Sequence, residues 1–416
     1  MRREPTCGRL PATRRNTGEH TMSDVREKIL SESAKDEDYI IALRRDFHAH
    51  PELSTKEYRT AETIEKELDK LGLAHKRVGG TGVYAEINGT AQGENRTIVL
   101  RADTDALPVT EEHDCPYKSK NPGVMHACGH DAHTASLIGA ARFLARNRDL
   151  FSGTVRLTFQ PGEEIGYGAR IFVDEGYLDG AQRSVGIHLA SRIDVGKVSI
   201  VPGPNNASVD WFRINVAGKG AHISTPQRGV DAAYIASSIV VGLQALVTKT
   251  TSPIDSVLIG VGKITAGTAY NVIASSAEIE GTVRVYDVDI RREMKKRITS
   301  LAQATAQAYG GSASIEWKDF TSPLINDPAV SNELQKSVGA LIGEENILTT
   351  GEPSLGGDDF AEYILKVPGA YMYVGSGNKD IPETTLSHHD SHFDIDERCL
   401  LVGTRAYIAA VLDYLK

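Results

Sequence analysis

The segment MHACGHDAHT gathers His126, Cys128, His130 and His133. Thiolate and imidazole suit zinc and neighbouring transition metals. Cys128 and His130 are two residues apart and face the same way if the segment is extended. The structural alternative is a buried cysteine beside histidines that cap the next helix. Further on, FQPGEEIGYGA carries the adjacent pair Glu163 and Glu164. In extended backbone the two point in opposite directions, so one can ligate a metal while the other faces substrate. Adjacent glutamates on a loop are otherwise simply solvated. GIHLAS puts His188 at the end of an apolar strand, where a satisfied core histidine is the plainer reading. LSHHDSHFDIDE adds His388, His389 and His392, and Phe393 and Ile395 mark a partly buried edge. In RADTDALP, Asp103 and Asp105 share a side, and one of them can accept a hydrogen bond from a ligating imidazole. Their alternative is a pair of turn carboxylates in water. The combined set is more than one tetrahedral ion needs. A pair of cations about 3.5–4 Å apart, sharing a bridging group, accounts for the surplus.

Such residues need a scaffold that brings them to one place. Residues 36–71 read as helix, with Ile41, Phe47, Ile64, Leu68 and Leu71 in an apolar stripe broken at Pro51 and closed at Gly72. Strand patterns follow at 83–87, 97–102, 154–160 and 184–188, and helix patterns at 132–146 and 168–175. Alternation of this kind predicts an α/β sheet covered on both faces. The carboxyl ends of its strands are where such sheets place ligands. The pattern changes near 203–207. A strand at 211–216, a helix at 230–247, strands at 257–264 and 277–285, a helix at 290–309 and a strand at 314–317 make the βαββαβ order of a ferredoxin-like plait. The α/β character then resumes and ends in a helix over 400–415. The expected division is a disordered tail at 1–22, a catalytic domain at 23–204 and 321–416, and an inserted domain at 205–320.

Composition bounds the possibilities further. The chain has 416 residues, of which 40% are hydrophobic and 24% charged, an ordinary globular balance. Collagen-like, coiled-coil and wholly disordered readings are excluded. Lys+Arg 46 against Asp+Glu 55 gives a formal charge of −9, which argues against nucleic-acid or anionic-membrane partners. The four cysteines, Cys7, Cys115, Cys128 and Cys399, are too scattered for a disulfide framework. The longest apolar stretch, near 234–247, reads as too short to cross a membrane. The basic N-terminal residues have no apolar core for a secretory signal. A cytoplasmic enzyme is expected, with Met22 a plausible natural start.

RRDFHAHPELS, RADTDALP, MHACGHDAHT, FQPGEE, GKGAHISTP, YNVIASSAEIEGTVR, GGDDFAEY and HHDSHFDIDE occur in this order from about Arg44 to the C-terminus. Together they resemble the metallopeptidase and amidohydrolase family that contains aminoacylases and dinuclear-zinc carboxypeptidases. The closer resemblance is to its amidohydrolase branch of N-acyl-amino-acid, hippurate and auxin-conjugate hydrolases. MHACGHDAHT followed by FQPGEE is specific to that branch. The resemblance implies an α/β fold: a mixed-sheet metallohydrolase catalytic domain with an inserted ferredoxin-like α+β lid that dimerises. It also implies two divalent metal ions per subunit, with zinc, manganese and cobalt all found in such sites. It carries the ligand role to Cys128, His130, Glu164, His188 and His389, the last chosen because it stands four before Phe393. Glu163 becomes the catalytic base. His222 becomes an oxyanion-steadying histidine that often serves the partner subunit's site, and Asn271 and Arg284 become binders of the substrate carboxylate.

The implied reaction is hydrolysis of a small-molecule N-acyl amino acid to an acid and a free amino acid, carried out by a homodimer or higher homo-oligomer. The alternatives are a dipeptidase or aminopeptidase on the same scaffold, a non-catalytic metal-binding protein, or a thiol enzyme using Cys128. The chain departs from the family pattern at Ala274, where proline is common. It also has Gly162 where alanine is usual, and Ala190–Ser191 near where an aromatic–proline pair is common. None of these removes a ligand or the base. The last two bear on substrate preference.

Overall fold

The computed structural model describes residues 22–416, so the expected tail at 1–22 lies almost wholly outside the described residues. The helical stretch read over 36–71 with a break at Pro51 is two helices, Glu37–Ala49 and Tyr58–Lys70, on either side of that segment. Proline lacks the amide hydrogen that a helix interior needs, so the stripe continues on both sides of a break.

The larger sheet has eight strands in the order His75–Val78, Gly82–Asn88, Thr154–Gln160, Thr97–Asp103, Arg183–Asp194, Gly369–Gly377, Val198–Ser199, Ile347–Leu348. Its centre is parallel: Thr97–Asp103 pairs in parallel with Thr154–Gln160 on one side and Arg183–Asp194 on the other, and Gly369–Gly377 continues parallel beyond. Ile98, Val99, Leu100 and Ala102 are all buried, as a strand covered on both faces requires. Helices Glu37–Ala49, Tyr58–Lys70, His130–Arg146 and Arg398–Tyr414 supply the main core on one face. Gly168–Asp174 and Ala361–Lys366 cover part of the other, around Phe172, Phe360 and Tyr363. After Thr97–Asp103 the chain places its next strand to one side and the following one to the other. This reversal opens a crevice outside the carboxyl ends of the strands.

The second sheet has four antiparallel strands in the order Ser312–Thr321, Val209–Ala217, Ser276–Val285, Val257–Ala266. With helices Ala232–Thr250 and Val288–Ala308 this is the predicted βαββαβ module. Both helices lie on one face, where Ile235, Ile239, Leu243 and Ile298 meet Phe212, Ile214 and Ile279. The opposite face is polar, with Arg213 near Glu278 and Glu280. One expectation changes here. Helix Ala232–Thr250 has 19 residues and is long and apolar enough, by length and composition alone, to cross a membrane. Small and hydroxyl residues such as Ser237 do not end it, because Ser237 returns its hydroxyl hydrogen bond to Ala233 O.

Candidate metal centre

Three loops at the carboxyl ends of the central strands build the site. The first is the cysteine loop. Cys128 and His130 do not pair in an extended segment as expected. Gly129 adopts a left-handed backbone (φ 88°), and His130 is the first residue of the following helix. A Cβ at Gly129 would also stand 3.2 Å from the tip of Leu189, a tight contact, but it is the left-handed backbone that favours glycine here. The second loop corrects another expectation. Glu163 and Glu164 are not extended. They begin a short 3₁₀ turn entered through Gly162 at φ 63°, and both carboxylates face one pocket. Buried carboxylates pin this turn. Glu57 accepts from the Gly162 amide at 2.9 Å, and Asp105 accepts from the Glu163 and Glu164 amides at 3.1 Å each. The third loop carries His388 and His389. The His389 amide donates to Ala127 O at 2.8 Å, which ties this loop to the cysteine loop.

The sequence-predicted residues converge. Cys128 Sγ lies 3.4 Å from His188 Nε2. His130 Nε2 lies 3.8 Å from Glu164 Oε1 and 4.0 Å from Glu163 Oε2, and His389 Nε2 lies 3.5 Å from Glu164 Oε1. Two clusters share the Cys128 sulfur. One adds Glu164 and His389, the other His188 and His388, and within each cluster the donor atoms lie within 4.8 Å of one another. These residues line a cavity of about 520 Å³.

Hydrogen bonds aim the imidazoles. His188 Nδ1 donates to Leu189 O at 2.7 Å, leaving Nε2 toward Cys128. His130 Nδ1 faces Asp105 at 3.3 Å, leaving Nε2 toward the glutamates. A carboxylate placed against one ring nitrogen fixes the orientation of the imidazole and leaves the other nitrogen available. Asp103 instead holds His133, whose Nδ1 donates to it at 2.6 Å while its Nε2 accepts from the Leu189 amide at 2.9 Å. Both nitrogens of His133 are therefore occupied, and it acts as a strut.

The donor set fits a pair of cations. His130 Nε2, Glu164 Oε1 and His388 Nδ1 are buried without a hydrogen-bond partner. Leaving a buried polar atom unpaired costs about 1–3 kcal/mol, and a cation would satisfy those atoms it reached. Burial, then the neighbouring His133 and His388, holds His188 well below the usual histidine range, so it is a neutral donor. Burial, with Glu164 beside it, pushes the Cys128 thiol well above its usual range. A thiol held protonated is a poor nucleophile, which weighs against the thiol-enzyme reading, whereas a bound cation deprotonates it. Cys128→Ser is accordingly expected to weaken metal retention at least about tenfold, since even groups that only orient ligands are worth 10–100-fold. Metal-to-protein ratios after dialysis against graded chelator measure this, and an unchanged ratio removes Cys128 from the ligand set.

Sequence reasoning missed the layer behind the glutamates. Arg101 is fully buried and contacts Asp103 at 2.6 Å, Asp359 at 2.8 Å and Asp358 at 3.4 Å. Gln160 donates to Asp359 at 2.8 Å, and the Tyr371 hydroxyl donates to Asp358. Glu163, Asp358 and Asp359 form a further close carboxylate group. Burial, then Asp358, Glu164 and Asp359, raises the Glu163 carboxyl well above the usual carboxylate range. The available signals were the charged residue inside an otherwise apolar strand, IVLRAD, and the paired aspartates of GGDDF.

His222, Asn271 and Arg284 do not line this cavity. His222 is exposed on the inserted domain and accepts from the Ser224 hydroxyl at 2.7 Å, and the next residue's amide, Ile223, donates to Asn271 O at 3.1 Å. Arg284 is half-buried and donates to Thr282 Oγ1 at 2.6 Å. His392 is exposed near Glu112 and Asp390, away from the cluster.

A family model described as peptidase family M20/M25/M40 matches residues 99–413. The chain is 39% identical over 369 residues to an N-acetyl-L-cysteine deacetylase of Bacillus subtilis (strain 168), covering 88% of this chain and 85% of that protein. Among solved structures it is similar to a putative aminohydrolase of methicillin-resistant Staphylococcus aureus, with TM-score 0.90, 33% identity and coverage of 94% and 100%. It is also similar to the Bacillus subtilis YXEP protein, described as a dinuclear metal-binding peptidase of the M20 family, with TM-score 0.80, 34% identity and coverage of 92% and 99%.

Proposed function

We propose, from the premise that this chain is a metal-dependent amidohydrolase belonging to peptidase family M20/M25/M40, that its substrates are N-acyl amino acids. The observation that carries the reading is the convergence of Cys128, His188, His388, His389, Glu164 and the free carboxylate of Glu163 on one cavity. The deacetylase name of one relative supports the acyl class. The ligand set proposed is Cys128, His130, Glu164, His188 and His389, with His388 a further donor within reach. Zinc, manganese or cobalt is the proposed metal.

Two divalent cations bound there supply Lewis acidity and bring the pKa of water toward neutrality. Glu163 takes the proton from the attacking water and returns it to the leaving amine. Its carboxylate lines the cavity beside Glu164, within reach of a water held there. Asp105 keeps the base in place through its two amide contacts. The lid residues complete the site in this reading. His222 steadies the developing oxyanion, and Arg284 with Asn271 holds the α-carboxylate. Because they stand outside the cavity, these roles require lid closure or a partner subunit, so a homodimer is part of the proposal.

The test is metal-replete protein offered N-acetyl, N-benzoyl and longer N-acyl amino acids beside dipeptides with free amino termini. Acylated substrates are expected to turn over, and chelation to abolish the activity. Cleavage of the dipeptides alone would replace this reading with the dipeptidase one. In Arg284→Ala, KM is expected to rise about tenfold for acyl amino acids and much less for their amides, the usual scale of a charge-assisted pair. Equal changes would exclude the carboxylate role.

A further inference from the structure

A second cavity of about 300 Å³ adjoins the metal pocket, and the two share Arg192 and Tyr373 in their linings. Among the described residues, Arg192 is the only arginine or lysine that lines either one. It follows His188 by four residues on the same strand, directly after the small pair Ala190–Ser191. Ala190 and Ser191 line the metal pocket, and Ile193, just after Arg192, lines the second cavity. Arg192 is exposed, and among the described residues no carboxylate lies within ion-pairing distance of it. The nearest acid on its own strand, Asp194, is already paired with Lys197 at 2.8 Å. The contact Arg192 does make is with the face of Tyr373, 5.8 Å from guanidinium to ring centre. The Tyr373 hydroxyl donates to Asn206 at 2.9 Å, so the ring is a fixed platform. Cation–aromatic contact restrains a guanidinium without using its hydrogen-bond donors. The fork is therefore held at the mouth between the cavities with its donors free. Beyond it the second cavity is lined by neutral groups such as Ser199, Thr350, Val201 and Leu348, with a carboxylate, Glu352, that is not paired to Arg192.

We propose that Arg192 forms a subsite for a second carboxylate on the substrate, distinct from the α-carboxylate. The preferred substrates are then N-acyl amino acids carrying two carboxylates. The second one comes either from a dicarboxylic acyl group or from an acidic amino-acid side chain. A guanidinium matches a carboxylate with two parallel hydrogen bonds. The acidic groups lining the metal pocket, Glu163, Glu164 and Asp358, belong to the centre or its base, and Arg192 is the one basic side chain among the described residues that lines it and can pair with an anion beyond the metals. This inference rests on the acyl-amino-acid reading.

The experiment compares N-acetyl-alanine, N-succinyl-alanine and N-acetyl-glutamate with wild-type protein, Arg192→Ala and Arg192→Glu. In the wild type, one of the two dicarboxylates is expected to have the higher kcat/KM, and which one identifies the source of the second carboxylate. Arg192→Ala is expected to lower kcat/KM for that substrate at least about tenfold more than for N-acetyl-alanine, mainly through KM, and Arg192→Glu more again. Calorimetric titration of the same three ligands into metal-replete Glu163→Gln protein, with and without Arg192→Ala, reads binding apart from turnover. Equal losses for mono- and dicarboxylates, or no wild-type preference, overturn the subsite. Selective loss of dicarboxylate binding without turnover of any of the three compounds overturns the acyl-amino-acid reading and leaves the subsite standing.

Discussion

Glu163→Gln is expected to retain its metal and lose about 10²–10⁴-fold in kcat, the range assigned to general acid–base catalysis. The substitution keeps shape and removes only the ability to take a proton. Glu163 sits on a turn whose amides are held by Glu57 and Asp105, so the backbone has little reason to move. Its surroundings predict no cost in stability either. Glu163 is crowded by Asp358, Glu164 and Asp359, and burial has already raised its carboxyl. A neutral amide matches the uncharged form that those neighbours favour. Metal content by elemental analysis, thermal midpoint and kcat on an N-acetyl amino acid should be measured on one preparation. A metal-replete variant with wild-type kcat removes Glu163 from the base role.

Arg101→Leu is expected to lower stability by about 3–5 kcal/mol, the usual cost of breaking a buried ion pair from one side. Burial alone would depress the Arg101 guanidinium, yet Asp103, Asp358 and Asp359 override it and hold it well above its usual range. Without it those carboxylates face one another inside the protein. Burial, with Asp358 near, already puts Asp359 at about 7 even with Arg101 present. In the variant these groups take up protons that the wild type does not bind. The folded variant thus gains stability relative to wild type as pH falls, and the deficit should shrink from pH 8 to pH 5. Denaturation midpoints across that range check both statements. A midpoint equal to wild type at pH 8, or a deficit that grows on acidification, would contradict this account. A second consequence follows from position. Asp103 supports His133, and Asp358 and Asp359 flank Glu163, so metal retention and turnover should fall as well.

The order of the motifs, the donor types and the βαββαβ module were legible because they are local. A strand announces itself by burial of each residue, as in IVLRAD, and an inserted module by its own complete element order. The helix break at Pro51 was legible for the same reason. The two wrong geometries, Cys128 with His130 and Glu163 with Glu164, came from assuming extended backbone. Gly129 and Gly162 adopt left-handed conformations there, and a glycine in sequence states only that such a conformation is permitted.

What the sequence by itself determined was the chemistry on offer: a thiol, imidazoles and carboxylates in and after the strands of one sheet. Folding decided which atoms those segments present. The Asp105 contacts that hold both glutamates span 58 and 59 residues, and the Arg101–Asp359 contact spans 258. His388 and His389 are neighbours in sequence, yet one is partly buried against His188 and the other exposed beside Glu164. Local pattern cannot encode such choices. They are set by which long-range partner satisfies each buried charge, and that partner is defined only once the chain has closed on itself.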